Sequence, residues 1–296
     1  MSSFNSEPAS VLDVRGLYKK YPAFELKDVS FSLERGKITG FIGRNGAGKS
    51  TTLNSLFNFV HPDSGDIEFF GENFSDSEFD IKKRVGFVAG GIDYYKNKKI
   101  KTITAVTKRF YESWDDAAYK SYINEFAIDE EKTPGQLSAG MKVKYALALA
   151  LSHNAELLIM DEPTSGLDPV SRDELLDDFM ALCDRGITIL FSTHITSDLD
   201  KCADDIIYIQ NGKIIAETGM DSFVDSFRLL KMDEEPSEGG WVTGHARGIK
   251  RMRKGYTVLL GTEDAESPDA SANGTIEKAD LEDIMIHLEK GGRNNG

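Results

Sequence analysis

Gly43-Arg44-Asn45-Gly46-Ala47-Gly48-Lys49-Ser50-Thr51 decides how this 296-residue chain is read. The stretch has the P-loop form: a glycine, four residues, then Gly-Lys-Ser. Residues 37–42, just before it, are apolar enough for a buried strand. Residues 51–59, just after it, carry Leu53, Leu56 and Phe57 at helical spacing. Strand, glycine loop and helix therefore follow in the order that phosphate binding needs. Glycines let backbone N–H groups curl around phosphate oxygens, and the helix N-terminus adds partial positive charge. The pattern assigns Gly43, Asn45, Gly46, Ala47, Gly48, Lys49, Ser50 and Thr51 to a nucleotide. Lys49 reaches the outer phosphates, and the Ser50 hydroxyl is a Mg²⁺ ligand.

Upstream, residues 11–14, 24–26 and 29–33 read as short strands. Downstream, 66–70 and 85–88 read as further strands. The period then changes. Ile103, Val106 and Phe110 mark one amphipathic helix, and Tyr119, Tyr122, Ile123 and Phe126 mark another. This is the pattern of a helical insertion in an α/β core, placed at about 91–155. Pro134-Gly135 breaks the chain before a helix that runs through 146–151. Strands at 156–160 and 187–191 flank a helix over 169–183, capped by Asp168 with Pro169 at its first position. Strand–helix–strand alternation implies a parallel sheet. Asn211-Gly212, between 206–209 and 213–215, is a hairpin turn signal. After Leu230 the composition shifts. Residues 233–240 read as an acidic linker, 256–260 as a strand, 262–274 as a polar loop and 278–289 as an amphipathic helix. The expected organisation is a main domain over 1–230 and a small C-terminal accessory unit over 231–296.

The bulk numbers narrow the class. A hydrophobic fraction of 40% and a charged fraction of 28% belong to a soluble globular protein. No apolar run approaches the roughly 18 residues of a membrane span, and the first ten residues lack a signal-peptide core. Cys183 and Cys202 make neither a disulfide framework nor a metal site, and read as buried thiols in a reducing compartment. The net charge of −14, from 35 basic and 49 acidic residues, argues against broad contact with a nucleic-acid backbone.

Leu157-Leu158-Ile159-Met160-Asp161-Glu162 is a hydrophobic strand that ends in two acids. Such a pair alone is often a solvated sheet edge. Beside a P-loop, Asp161 aims a carboxylate at the Mg²⁺ shell and Glu162 polarises the attacking water. With Leu137-Ser138-Ala139-Gly140-Met141, the pattern resembles the nucleotide-binding subunit of ATP-binding cassette (ABC) transporters. Ser165-Gly166-Leu167-Asp168 is similar to that family's D-loop. His194, after Ser192-Thr193, is similar to its switch histidine, and Tyr21 to the aromatic that stacks on adenine. The resemblance spans about 11–219.

The match departs from the family in three places. Ala139 and Met141 replace the usual second Gly and Gln of the signature, and Lys144 stands where Arg is common. Both changes resemble a subgroup of drug, peptide and antibiotic exporters, as does the tail over 281–288. The Q-loop glutamine is replaced by Gly90, with Asp93 three residues on.

What the resemblance implies is a P-loop NTPase core with an antiparallel β subdomain and a helical subdomain. Its activity would be ATP hydrolysis powering export through a separate integral membrane permease subunit, with ATP and Mg²⁺ as cofactors. Two copies, or two different cassettes, would face head to tail. Each ATP would then lie between one P-loop and the Ser138 and Gly140 signature of the other. Lys49, Ser50 and Asp161 would organise phosphate and Mg²⁺, Glu162 would be the general base, and His194 would contact the terminal phosphate. Asp168 would lie at the shared site. The chain would sit in the cytoplasm, peripheral on the membrane, docking through 86–95 and 103–110 with Tyr94, Tyr95 and Phe110. The alternatives are a soluble relative acting on ribosomes or DNA, and an importer subunit with the same core. Against the first stand one cassette per chain, the acidic charge, and the absence of sustained heptads in the gap of about ninety residues between Lys49 and Ser138.

Overall fold

The computed structural model describes residues 10–89 and 95–291. Gly90, Asp93 and Tyr94 lie outside the described residues. The chain divides into two units, Met1–Glu217 and Thr218–Gly296.

In the first unit, β1 (Ser10–Tyr21) and β2 (Phe24–Glu34) form a long antiparallel hairpin. Val29, Phe31 and Leu33 point inward at every second position of β2. Both strands are longer than the sequence pattern predicts. Gly16 (φ 60°) and Asp28 (φ 52°) are left-handed interruptions that the strands run through, with register shifts along the pair. β3 (Ile38–Ile42), fully buried, leads into the P-loop and α1 (Lys49–Leu56). β4 (Ser64–Phe69), β5 (Glu72–Asn73), α2 (Phe74–Arg84) and β6 (Val85–Ala89) follow. The helical insertion comprises α3 (Ile100–Thr107), α4 (Asp116–Glu125) and α5 (Ala139–Ser152). Buried hydroxyls tie it together, with Thr104 Oγ1 lying 2.7 Å from the Tyr119 hydroxyl and 2.8 Å from that of Tyr145. The core resumes with β7 (Leu157–Asp161), α6 (Pro169–Asp184), β8 (Thr188–Thr193), α7 (Thr196–Cys202), β9 (Asp205–Gln210) and β10 (Lys213–Gly219).

Two sheets result. One is antiparallel, in the order β2-β1-β4-β5; the other runs β10-β9-β3-β8-β7-β6, with β6, β7, β8, β3 and β9 parallel. Leu12, Leu26, Leu33, Phe41, Phe57 and Phe69 belong to one buried core. Asn211 (φ 49°) and Gly212 (φ 76°) make the two-residue turn between β9 and β10. Gly212 is also a joint. Its N–H donates to Ala47 O at 2.9 Å, and its carbonyl accepts from Lys27 N at 2.8 Å. A Cβ there would fall 1.9 Å from Glu25 O, so only glycine fits. Both cysteines are free, and Cys202 is buried.

The second unit has its own antiparallel sheet and core. β11 (Phe227–Met232), β12 (Gly248–Arg251), β13 (Tyr256–Gly261) and β14 (Thr275–Lys278) lie in the order β12-β13-β11-β14. Leu230, Val258 and Leu260 centre its core. The boundary expected after residue 230 falls inside β11, because the acidic run marks the end of a strand, not the edge of a domain. The expected linker over 233–240 lies within this unit, and the expected loop over 262–274 holds two short helices, Thr262–Ala265 and Pro268–Asn273.

Candidate active site

The P-loop turns between β3 and α1 because its glycines allow what other residues would not. A Cβ at Gly43 would lie 2.3 Å from Ile209 O, and one at Gly48 (φ 119°) would lie 2.7 Å from Leu26 Cδ2. The turn is closed by Ala47 N donating to Arg44 O at 3.0 Å. Lys49 is almost fully buried, and its Nζ donates to Gly43 O at 2.7 Å. Holding the ammonium against the loop in this way aims positive charge into the turn.

Two strands along the sheet, beyond β8, Asp161 ends β7 and Glu162 turns sharply away from it at φ 50°. A left-handed glutamate costs on the order of 1 kcal/mol. Glu162 N donates to Ser192 O at 3.1 Å and Ser192 Oγ at 3.0 Å, which fixes the turn. The Ser192 hydroxyl in turn donates to Asp161 Oδ1 at 2.5 Å. As a result Glu162 Oε1 lies 3.4 Å from Lys49 Nζ, and Oε2 lies 2.9 Å from His194 Nδ1. Lys49 and His194 thus share the Glu162 carboxylate.

These groups open on a cleft of about 570 Å³ lined by Asn45, Gly46, Gly48, Lys49, Ser50, Thr51, Glu162 and His194, with Ala23, Phe24, Arg44 and Ser165. Gly43, Ala47 and Asp161 are not among its lining residues. Tyr21 does not line it. That ring is 38% exposed at the end of β1, with Lys19 Nζ 5.8 Å from its centroid. Tyr21 and Phe24 are partners across the hairpin turn, and Phe24 is the one on the cleft wall. Sequence reading missed Phe24. The signal was the two-residue turn Pro22-Ala23, which sets the two aromatics opposite each other.

Ser138, Gly140 and Asp168 lie elsewhere. Ser138 is exposed and caps the 14-residue α5, its Oγ accepting from Met141 N at 3.2 Å. Asp168 caps α6, its carboxylate accepting from Val170 N and Ser171 N at 3.1 Å and from Ser171 Oγ at 2.6 Å. The Ser171 hydroxyl holds the Asp168 carboxyl below the usual carboxylate range. Tyr95 and Phe110 are 63% and 71% exposed. A larger depression of about 810 Å³ lies in the second unit, lined by Trp241, Tyr256 and Glu235 among others. It holds none of the P-loop residues. Among the described residues no three His, Cys, Asp or Glu side chains form a metal cage, and no helix is long and apolar enough to cross a membrane.

The family model described as "ABC transporter" matches residues 26–165. The bacitracin transport ATP-binding protein BcrA of Bacillus licheniformis is 34% identical over 217 residues, covering 72% of this chain and 71% of that protein. The chain belongs to the ABC transporter ATP-binding family. The Nod factor export ATP-binding protein I of Burkholderia thailandensis is 32% identical over 292 residues, covering 94% of this ABC subunit and 96% of that protein. A solved ATP-binding subunit of an ABC transporter is 28% identical with a TM-score of 0.64, covering 72% of this chain and 91% of that one. As an ABC ATP-binding subunit, the protein binds and hydrolyses ATP. Subunits of this family work with membrane permease components and dimerise.

Proposed function

We propose that this ABC subunit powers export through a separate membrane permease, from the cytoplasmic face of the membrane. The observation that carries the reading is the Lys49–Glu162–His194 cluster on the P-loop cleft. Export, as the direction, is supported by the Nod factor export relative. In this reading the backbone of 43–48 and the Lys49 ammonium bind the phosphates. Glu162 accepts the proton of the attacking water, and His194 orients the terminal phosphate. The Tyr21–Phe24 hairpin supplies the aromatic wall for adenine, with Phe24 in direct contact.

Mg²⁺ suits the donor set. It is held by one or two oxygen side chains plus substrate phosphates, without a dedicated protein cage. Ser50 and Asp161 are such donors. Asp161 has one oxygen engaged by Ser192, and its other oxygen has no hydrogen bond among the described residues. When bound, the ion would neutralise charge on the β- and γ-phosphate oxygens.

Two cassettes would pair head to tail, so that exposed Ser138 of one, with Gly140 buried in the helix turn behind it, faces the phosphates held by the other. A capped helix N-terminus with outward N–H groups is suited to that role. Co-expression with a candidate permease, followed by reconstitution in vesicles, tests the proposal. ATP-dependent outward movement of substrate that is lost with Glu162→Gln is the expected result. ATP-dependent uptake in the opposite direction, or sedimentation of the chain with ribosomes, would overturn it.

A further inference from the structure

A carboxylate that ATP hydrolysis does not itself employ lies buried behind the cleft. Asp198, on α7, is fully buried. Its Oδ2 accepts from Thr164 Oγ1 at 2.6 Å. Its Oδ1 has no hydrogen-bond partner among the described residues. Arg172 Nε stands 3.9 Å from that oxygen, and is itself buried with no partner among them. At this distance the two side chains form an ion pair, but the buried Nε and Oδ1 atoms each lack a hydrogen bond among the described residues, which is costly. A closure of about 1 Å would make them a charge-assisted hydrogen bond.

These three side chains sit on the segments that carry Glu162, His194 and Asp168. Thr164 follows Glu162 by two residues, in a turn where Ser165 N donates to Glu162 O at 3.2 Å. Asp198 follows His194 by four, and Asp198 N donates to Ile195 O at 3.3 Å. Arg172 is in the first turn of α6, its N–H donating to Asp168 O at 3.0 Å. α7 is otherwise well held. Lys201 Nζ pairs with Asp173 at 2.5 Å and Asp177 at 2.7 Å, both on α6. On the sheet side, Leu199 packs on Gly40 so closely that a Cβ there would lie 2.2 Å from Leu199 Cδ2. The slack in this assembly is at the Asp198–Arg172 gap.

On the roles proposed above for Glu162 and Asp168, we infer that Asp198 is a positioning residue joining the base loop to the histidine segment. Arg172 closes onto its Oδ1 when the Asp168 end of α6 shifts as two cassettes engage ATP. The bond is made in the paired state and absent in the open one. Its energy therefore favours the hydrolysis-competent pair, and leaves the first encounter of ATP with the P-loop unaffected. Thr164 transmits the closure to Glu162, and Asp198 transmits it to His194.

The test uses the full chain with Arg172→Met, Arg172→Lys, Asp198→Asn and the double variant Arg172→Met/Asp198→Asn. Arg172→Met should lower kcat about tenfold with KM within about twofold, a size typical of coupling through a contact network. Arg172→Lys, which keeps the charge, should recover most of the loss. The double variant should be no slower than the slower single one, since both remove the same contact. In a Glu162→Gln background, Arg172→Met should weaken ATP-dependent pairing in gel filtration while ATP binding to the unpaired chain stays unchanged. Wild-type kcat in Arg172→Met, or losses that multiply in the double variant, would overturn the inference. So would a loss that merely follows a lowered melting temperature and that Lys does not rescue. Arg172 is 28% exposed, so its variants decide the matter even if Asp198→Asn fails to fold. Turnover surviving in Glu162→Gln alone would sink the base assignment and leave the Arg172–Asp198 coupling to be judged by the double variant.

Discussion

Glu162 and His194 meet side chain to side chain, with Glu162 Oε2 2.9 Å from His194 Nδ1. The other oxygen of the same carboxylate lies 3.4 Å from Lys49 Nζ. A terminal phosphate entering the cleft competes with Glu162 for Lys49. On the roles proposed for Glu162 and Lys49, binding and base catalysis would therefore be coupled through one side chain.

Glu162→Gln should lower turnover by roughly 10²- to 10⁴-fold, the usual contribution of a positioned base. ATP affinity should be equal or higher, because the amide is a weaker rival for Lys49. ATPase assays and nucleotide titration of the same preparation check both halves. Turnover at the wild-type level would remove Glu162 from the mechanism.

Lys49→Ala acts on binding. It deletes a charge-assisted contact to phosphate worth about 1.5–3 kcal/mol, so the dissociation constant should rise about tenfold to a hundredfold. It also leaves Gly43 O without the bond it receives at 2.7 Å, so a lower melting temperature is expected. Unchanged ATP affinity would show that the lysine is structural only.

The two hairpin aromatics should separate. Phe24→Ala should raise KM for ATP several-fold, about 1 kcal/mol of ring contact, whereas Tyr21→Ala should change it little. Steady-state kinetics of the two variants decide the matter. The reverse ranking would restore Tyr21 as the adenine contact.

Glu156 gives a pH dependence of stability. Its carboxyl is held below the usual carboxylate range first by the Arg84 guanidinium at 2.6 Å, with Arg35 at 3.0 Å adding to this against the opposing effect of burial. A depressed folded-state value means the stabilisation is present above the unfolded pKa, about 4.3. It is lost as pH falls through the folded value. Glu156→Gln should melt about 2–4 °C below wild type at pH 7, and the gap should shrink below about pH 4. A gap that stays constant from neutral to acid pH would contradict the linkage.

Much of this was legible in the residues because it is local. The P-loop strand and helix, the acids ending β7, the Asp168 cap of α6 and the Asn211-Gly212 turn each lie within about ten residues of their signal. What escaped the sequence depends on partners far along the chain. β1 and β2 continue through Gly16 and Asp28 because each is held by the other strand, which no single-strand pattern reveals. β11 belongs to the second unit because it pairs with β13 and β14. Phe24 rather than Tyr21 reaches the cleft because a turn geometry, not a motif, chooses the face. Thr164 and Asp198 are 34 residues apart, and nothing in either neighbourhood announces their bond.

Gly212 has one more consequence. Through its two backbone bonds, it ties the Ala47 carbonyl of the P-loop to Lys27 in the strand that begins at Phe24. On the proposed roles, the end of the cleft that grips phosphate and the end that meets the nucleobase would thereby be tied through one glycine. A nucleotide held at both ends would be measured against the spacing between them. Bare triphosphate or an unphosphorylated nucleoside would meet only one of the two.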